Sequence, residues 1–178
     1  MASPVAHTLA GTIIYLVSRR GNDENLKDLW WLILAANLAD FDLIPSLLMG
    51  DHSLFHRTFT HSITASLFFA VIVYMACWWR GRRNPAYMAF LMLTAYLSQL
   101  LLDWLSLDPG PVSGIPVLWP FSDAHYMANP TVFLNIERND VFSPAVIAQN
   151  ITAVFREIII LAPVTALAWW WRLKKQPA

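Results

Sequence analysis

The stretch His56-Arg57-Thr58-Phe59-Thr60-His61-Ser62 puts two imidazoles, a guanidinium and several hydroxyls directly ahead of a long apolar run, Ile63 to Trp79. Histidine is the commonest side-chain ligand for metals, so metal ligation is the first chemistry these residues suggest. Further candidates lie far off along the chain: His7, the pair Asp40 and Asp42, and Asp103. Two carboxylates inside an apolar segment are costly and point to a functional site. Whether the six make one centre depends on the chain delivering them to the same place.

Each candidate also has a plainer reading. Residues two apart on an α-helix point to nearly opposite faces, so Asp40 and Asp42 reach one ion only if the chain unwinds there. Pro45, which disfavours helical geometry at Ile44, offers a reason for it to do so. The alternative pairs these acids with Arg57 or Arg156 for structure alone. With Thr60 as N-cap, His61 falls in the first turn of the helix that follows. His56 then folds back beside it from the loop, the alternative being two interfacial imidazoles bonded to loop carbonyls. Gln99 and Asp103 are four apart and share a helix face; so do His7 and Gly11, where the glycine admits a neighbouring helix closely. Arg156 and Glu157 are either interfacial charges or, for Arg156 together with Arg57, a grip on a phosphate through charge-assisted hydrogen bonds. Asp108, Asp123 and His125 read first as solvated turn residues.

The elements that must position these groups are membrane helices. Of the 178 residues, 57% are hydrophobic and only 13% charged, about half the charge of an ordinary soluble domain. Mean hydropathy is +0.46. Nine Trp fit a protein whose helices meet the water interface. Twelve basic residues balance twelve acidic ones, so no basic surface suggests nucleic acid. The lone Cys77 excludes an internal disulfide and a cysteine-based zinc site.

Five apolar segments are expected, at about Val5–Ser18, Leu29–Leu48, Ser62–Trp79, Ala86–Leu105 and Ile151–Trp171. All but the first have the ~20 residues that cross a bilayer core. No basic residue precedes the first segment, so it reads as a retained helix rather than a secretory signal. Nine of the twelve Lys and Arg fall in the connections on one side: Arg19, Arg20, Lys27, Arg80, Arg82, Arg83, Arg172, Lys174 and Lys175. The excess marks the cytoplasmic side and puts the N-terminus outside and the C-terminus in the cytoplasm. At 1.5 Å per residue, His7 then stands ~18 Å above Arg19, Asp40 ~17 Å above Leu29, Asp103 ~27 Å above Pro85 and His61 ~29 Å above Arg80. All four reach the outer half of the membrane. The expectation is therefore an all-α, integral membrane helical bundle of about five helices. It forms one domain, residues 1–178, with a long Pro-rich outer loop at about 106–150 whose spine is Ile115-Pro-Val-Leu-Trp-Pro-Phe121.

Five motifs resemble those of the YdjM-type family of inner-membrane-associated metal-dependent hydrolases. They are Ala6-His7 with Gly11, Leu38-Ala39-Asp40-Phe41-Asp42, the whole His56–Ser62 string, Ser98-Gln99 with Asp103, and Gly114-Ile115-Pro116-Val117-Leu118-Trp119-Pro120. The likeness spans about residues 6–121. Two positions depart from the pattern: Gln99 stands where the family carries histidine, and Ala39 where it carries proline. A carboxamide is a poorer ligand for zinc than imidazole.

The resemblance, distantly shared with zinc-dependent phospholipases C and nucleases, implies a zinc-type hydrolase of the inner membrane with its site on the outer side. Its metal ligands would be His7, Asp40, Asp42, His56, His61 and Asp103, holding one or two ions, zinc before manganese or magnesium, with Gln99 in or just behind that sphere. A bound metal supplies hydroxide near neutral pH. Asp42 would orient the water as base, and Arg57 would neutralise charge growing on the phosphoryl oxygens. Membrane lipids are the expected surroundings, and a phosphoester of a lipid or amphiphile the expected substrate. The alternative is a non-catalytic membrane scaffold that binds metal or regulates without turnover.

Overall fold

A computed structural model describes residues 1–18, 26–48, 58–109, 112–138 and 140–174. Within them the chain is all-helical: α1 (Pro4–Ser18), α2 (Leu26–Ala35), the short α3 (Leu43–Leu48), α4 (Ile63–Trp79), α5 (Pro85–Trp104) and α6 (Pro144–Lys174). Only α5 and α6 are long and apolar enough by themselves to cross a membrane; α1 and α4 are apolar but shorter. α1 packs against α2, α5 and α6, and α4 lies against α5.

Small residues let the helices approach. A Cβ at Gly11 would come within 2.9 Å of the Leu32 carbonyl oxygen and 3.0 Å of Ile33 Cα, so α2 crosses α1 where the sequence offers glycine. Below this crossing Tyr15, Leu16, Leu32, Leu91 and Met92 form one buried cluster. Ala2, Ala6 and Ala10 pack with Leu102 and Phe133 at the opposite end.

The second apolar segment is not one helix of twenty residues. It stops at Ala35, passes through a 3-10 turn at Ala39–Asp42 and resumes as α3. The break precedes Pro45, which lies inside α3, so proline is not its cause. Its local cause is Asn37, whose side-chain amide donates to the Ile33 carbonyl at 2.8 Å. A short polar side chain of this kind competes for helix carbonyls. The backbone tightens there, with Asn37 N bonded to Leu34 O and Leu38 N to Ala35 O.

A second 3-10 turn, Phe59–His61, leads into α4, whose N-cap is Ser62 and not Thr60: the Ser62 hydroxyl accepts from Ala65 N. α5 opens with Pro85 in its first turn, where the missing N–H costs nothing. α6 starts at Pro144, seven residues before the expected Ile151, so the loop between α5 and α6 is shorter than anticipated. That loop folds back over the end of α5 through backbone bonds of Leu107 and Phe133, Val132 and Leu105, and Ala128 and Trp104. Ile115, the first residue of its apolar spine, is buried with Ala39, Tyr96 and Leu100. Gly114 sits at φ +96°, where a Cβ would meet the Tyr126 carbonyl. Asp108, read from sequence as a solvated turn residue, is instead buried and accepts the Gly114 N–H at 2.9 Å.

A buried ring of imidazoles and carboxylates

Four elements end at one place. The first turn of α1 brings His7, the 3-10 turn after α2 brings Asp40 and Asp42, the 3-10 turn before α4 brings His61, and the last turn of α5 brings Asp103. All five side chains are buried, His7 and His61 completely. The turn that carries Asp40 and Asp42 is not a regular α-helix, and that is how two acids two apart are both drawn inward.

His7, His61, Asp40 and Asp103 close a ring. His7 Nε2 lies 3.7 Å from Asp40 Oδ2 and 3.5 Å from Asp103 Oδ1. His61 Nε2 lies 3.3 Å from Asp40 Oδ1 and 3.7 Å from Asp103 Oδ2. Each carboxylate thus spans the two imidazoles. Ligands about 2.0–2.1 Å from a tetrahedral zinc stand about 3.3–3.4 Å from one another, close to the spacing of each imidazole from its carboxylates, although His61 does not join the tighter group of three. His7, Asp40 and Asp103 each offer a ligand atom within 4.8 Å of the others, a group able to hold a metal ion.

Asp42 stands behind this ring. Its Oδ2 is 3.3 Å from His61 Nδ1, the nitrogen on the far side of the imidazole, and accepts from the Thr60 hydroxyl at 2.7 Å. Thr60 is held in turn by Tyr96, whose hydroxyl donates to the Thr60 carbonyl. A carboxylate on one ring nitrogen fixes the tautomer and frees the other nitrogen as a ligand. Burial disfavours a charged His61, but hydrogen bonds to Asp40 and Asp42 and the charge of Asp103 outweigh it and hold the ring's pKa at about 9. Without a metal the imidazole therefore carries a proton at neutral pH, and a metal ion bound at Nε2 would displace it.

Buried polar atoms without a hydrogen-bond partner among the described residues gather here: both nitrogens of His7, Asp40 Oδ2, Asp103 Oδ2 and Gln99 Nε2. Buried polar groups are nearly always paired, and those that are not need an explanation such as an ion. A divalent cation at the ring answers His7 Nε2 and both carboxylate oxygens at once.

His56 and Arg57 lie outside the described residues. Arg156 is exposed, and no hydrogen bond or ion pair among the described residues ties it to the ring. Its neighbour Glu157 turns inward instead: completely buried, it accepts from Ser3 N at 2.7 Å and from the Ser3 hydroxyl. Ser3 in turn accepts from Val5 N and Ala6 N at the start of α1. Sequence reasoning ranked Glu157 as an interfacial charge, although an acid within an apolar helix is itself a signal of a buried role. Thr60 was read from sequence only as a helix cap, and Tyr96 carried no signal of its own. Among the described residues His125 bonds the nearby carbonyl of Asp123 and takes no part in the ring.

A family model described as the YdjM inner membrane protein matches residues 1–176 of the chain, taking in the last third, where no motif was recognised. No curated protein and no solved structure matches it.

Proposed function

Because the chain belongs to the YdjM inner membrane protein family and closes two imidazoles and two carboxylates into one buried ring, we propose that it is a metal-dependent hydrolase embedded in the membrane. The observation that carries the reading is the ring itself: His7, His61, Asp40 and Asp103 at spacings of 3.3–3.7 Å, with unanswered polar atoms facing one another. Two nitrogens and two oxygens in this arrangement suit zinc before magnesium or calcium, which take more oxygen ligands. His56 is a further candidate ligand, for a second ion.

A bound zinc would polarise a substrate oxygen and lower the pKa of a water. The protein's own residues do the rest. Asp42 holds the Nδ1 side of His61 and keeps its Nε2 turned to the ring. Asp40 and Asp103 each bring two oxygens to the ring, so one can hold the ion while the other takes a proton from water, which Asp42, engaged behind His61, is less well placed to do. Arg57 is assigned to the charge that develops on a phosphoryl oxygen. Arg156, exposed one residue from the inward-turned Glu157, is assigned to the headgroup of an arriving lipid. The substrate class in this reading is a phosphoester of a lipid or amphiphile, reached from the outer side of a multi-pass bundle with its N-terminus outside.

The test uses the purified full chain in detergent. Metal content is measured alongside hydrolysis of a panel of phospholipids and simple phosphodiesters. The expected result is bound zinc together with turnover that disappears both on chelation and in His61→Ala. Bound metal without turnover anywhere in the panel would favour the scaffold reading; no bound metal would end both.

A further inference from the structure

Gln99 is completely buried, on the face of α5 that carries Asp103 one turn further on. Its carboxamide oxygen accepts the backbone N–H of Ala39 at 2.9 Å. A backbone N–H is answered only by an acceptor, so this contact fixes the orientation of the amide: oxygen on Ala39, NH2 turned away from it. The oxygen is therefore engaged on the residue immediately before Asp40 and is not free for a cation. The NH2 group has no ligand lone pair to offer, yet it has no acceptor among the described residues.

Gln99 thus bridges the turn that presents Asp40 to the helix that presents Asp103, and leaves a buried donor between them. The two carboxylates also have an oxygen each without a donor among the described residues. Carboxylates alone would repel an anionic substrate. A cation in the ring, together with a buried N–H donor on the residue that clamps the Asp40 turn to the Asp103 helix, is what would receive one.

We propose that Gln99 is a substrate-binding and positioning residue and not a metal ligand: its oxygen fixes the turn that carries Asp40, and its NH2 donates to an oxygen of a phosphate-like oxyanion held at the ring. The proposal rests on the metal-site reading and gives that site a polar contact of its own for the substrate. Position 99 is then not a vacated ligand but a reassigned one.

The test compares the wild-type chain with Gln99→Met, which removes both oxygen and donor, and Gln99→Glu, which keeps an acceptor for Ala39 and removes the neutral donor. Each is loaded with cobalt(II), its visible spectrum recorded, and then titrated with inorganic phosphate. Gln99→Met is expected to bind cobalt 10–100-fold more weakly, as when an outer partner of a metal site is lost, with the shape of the spectrum unchanged. Gln99→Glu is expected to hold cobalt within a few-fold of wild type but to bind phosphate at least 10-fold more weakly. A changed spectrum in Gln99→Met would make Gln99 a ligand and overturn the proposal. Equal phosphate affinity in wild type and Gln99→Glu, or no phosphate binding to cobalt-loaded wild type, would overturn the donor role. Should Gln99→Met fail to fold, Gln99→Glu decides alone. A wild type that takes up no cobalt ends the metal-site reading separately. The clamp is then judged on the metal-free protein, where amide exchange at Ala39 should be slow in wild type and Gln99→Glu; fast exchange in both overturns it.

Discussion

His61 is held at both ring nitrogens, and the two contacts divide the nearby acids into separate tasks. Asp40 and Asp103 meet Nε2; Asp42 meets Nδ1. Had all three acids been ligands, as their sequence pattern suggests, replacing any of them would cost the metal equally. The geometry instead predicts a graded response. Asp103→Asn or His7→Ala should abolish tight zinc binding in a calorimetric titration. Asp42→Asn should retain one ion and weaken it by about 10–100-fold, through a misoriented imidazole. Equal loss in Asp42→Asn and Asp103→Asn would return Asp42 to the coordination sphere. Of the six residues the sequence offered, His56 lies outside the described residues and four face the ring; Asp42 was legible as part of the site but its place was not, because spacing along a chain says nothing about which side of an imidazole a carboxylate approaches.

At the scale of elements, the site depends on two short 3-10 turns, and these were the least legible part. Hydrophobic runs located α1, α4 and α5 to within a residue or two of their bounds, since apolar length is what a membrane helix requires. The same run hid the break after Ala35, because Leu38, Ala39, Leu43 and Ile44 are apolar whether or not they are helical. Asn37 and the bond from Ala39 to Gln99 make the break, and the second of these is a contact across 60 residues. Two predictions belong here. Gly11→Val should destabilise the bundle and loosen the ring together, because a side chain at this position cannot coexist with the Leu32 carbonyl at its present distance. Thermal unfolding in detergent would show a lowered midpoint, and an unchanged midpoint would mean that α1 and α2 do not meet at Gly11. Glu157→Ala leaves Ser3 N and the Ser3 hydroxyl buried without their acceptor. Hydrogen bonds to a charged group are worth about 1.5–3 kcal/mol each, so this variant should lose stability even though Glu157 touches none of the proposed ligands. Full stability in Glu157→Ala would mean that α6 does not anchor the start of α1.

For the whole molecule, tryptophan gives a second ruler beside charge. Trp30 and Trp31 in the middle of α2, Trp78 and Trp79 at the end of α4, and Trp169, Trp170 and Trp171 near the end of α6 are all exposed. They accompany Arg80, Arg82, Arg83, Arg172 and Lys174, and Lys174 lies 3.8 Å from the centre of the Trp170 ring. Trp104 and Trp119 are partly exposed at the other end, with the ring of imidazoles and carboxylates. Aromatic residues favour both water interfaces of a bilayer, whereas an excess of Lys and Arg favours the cytoplasmic one. Two aromatic tiers, only one of them rich in basic residues, support the proposed orientation, in which the ring stands near the outer surface. Across α5 the tiers are separated by 20 residues, about 30 Å of helix and about the thickness of a hydrocarbon core. The prediction is made in a Cys77→Ala background, which removes the lone thiol. A cysteine introduced at Phe121, exposed in the outer loop, should react with a membrane-impermeant thiol reagent on intact cells. One at Arg83, exposed between α4 and α5, should react only after the membrane is opened. The reverse pattern would turn the ring to the cytoplasm and with it the pool of substrates it meets. Reaction of both on intact cells would mean that the chain does not cross the bilayer between α4 and the outer loop at all.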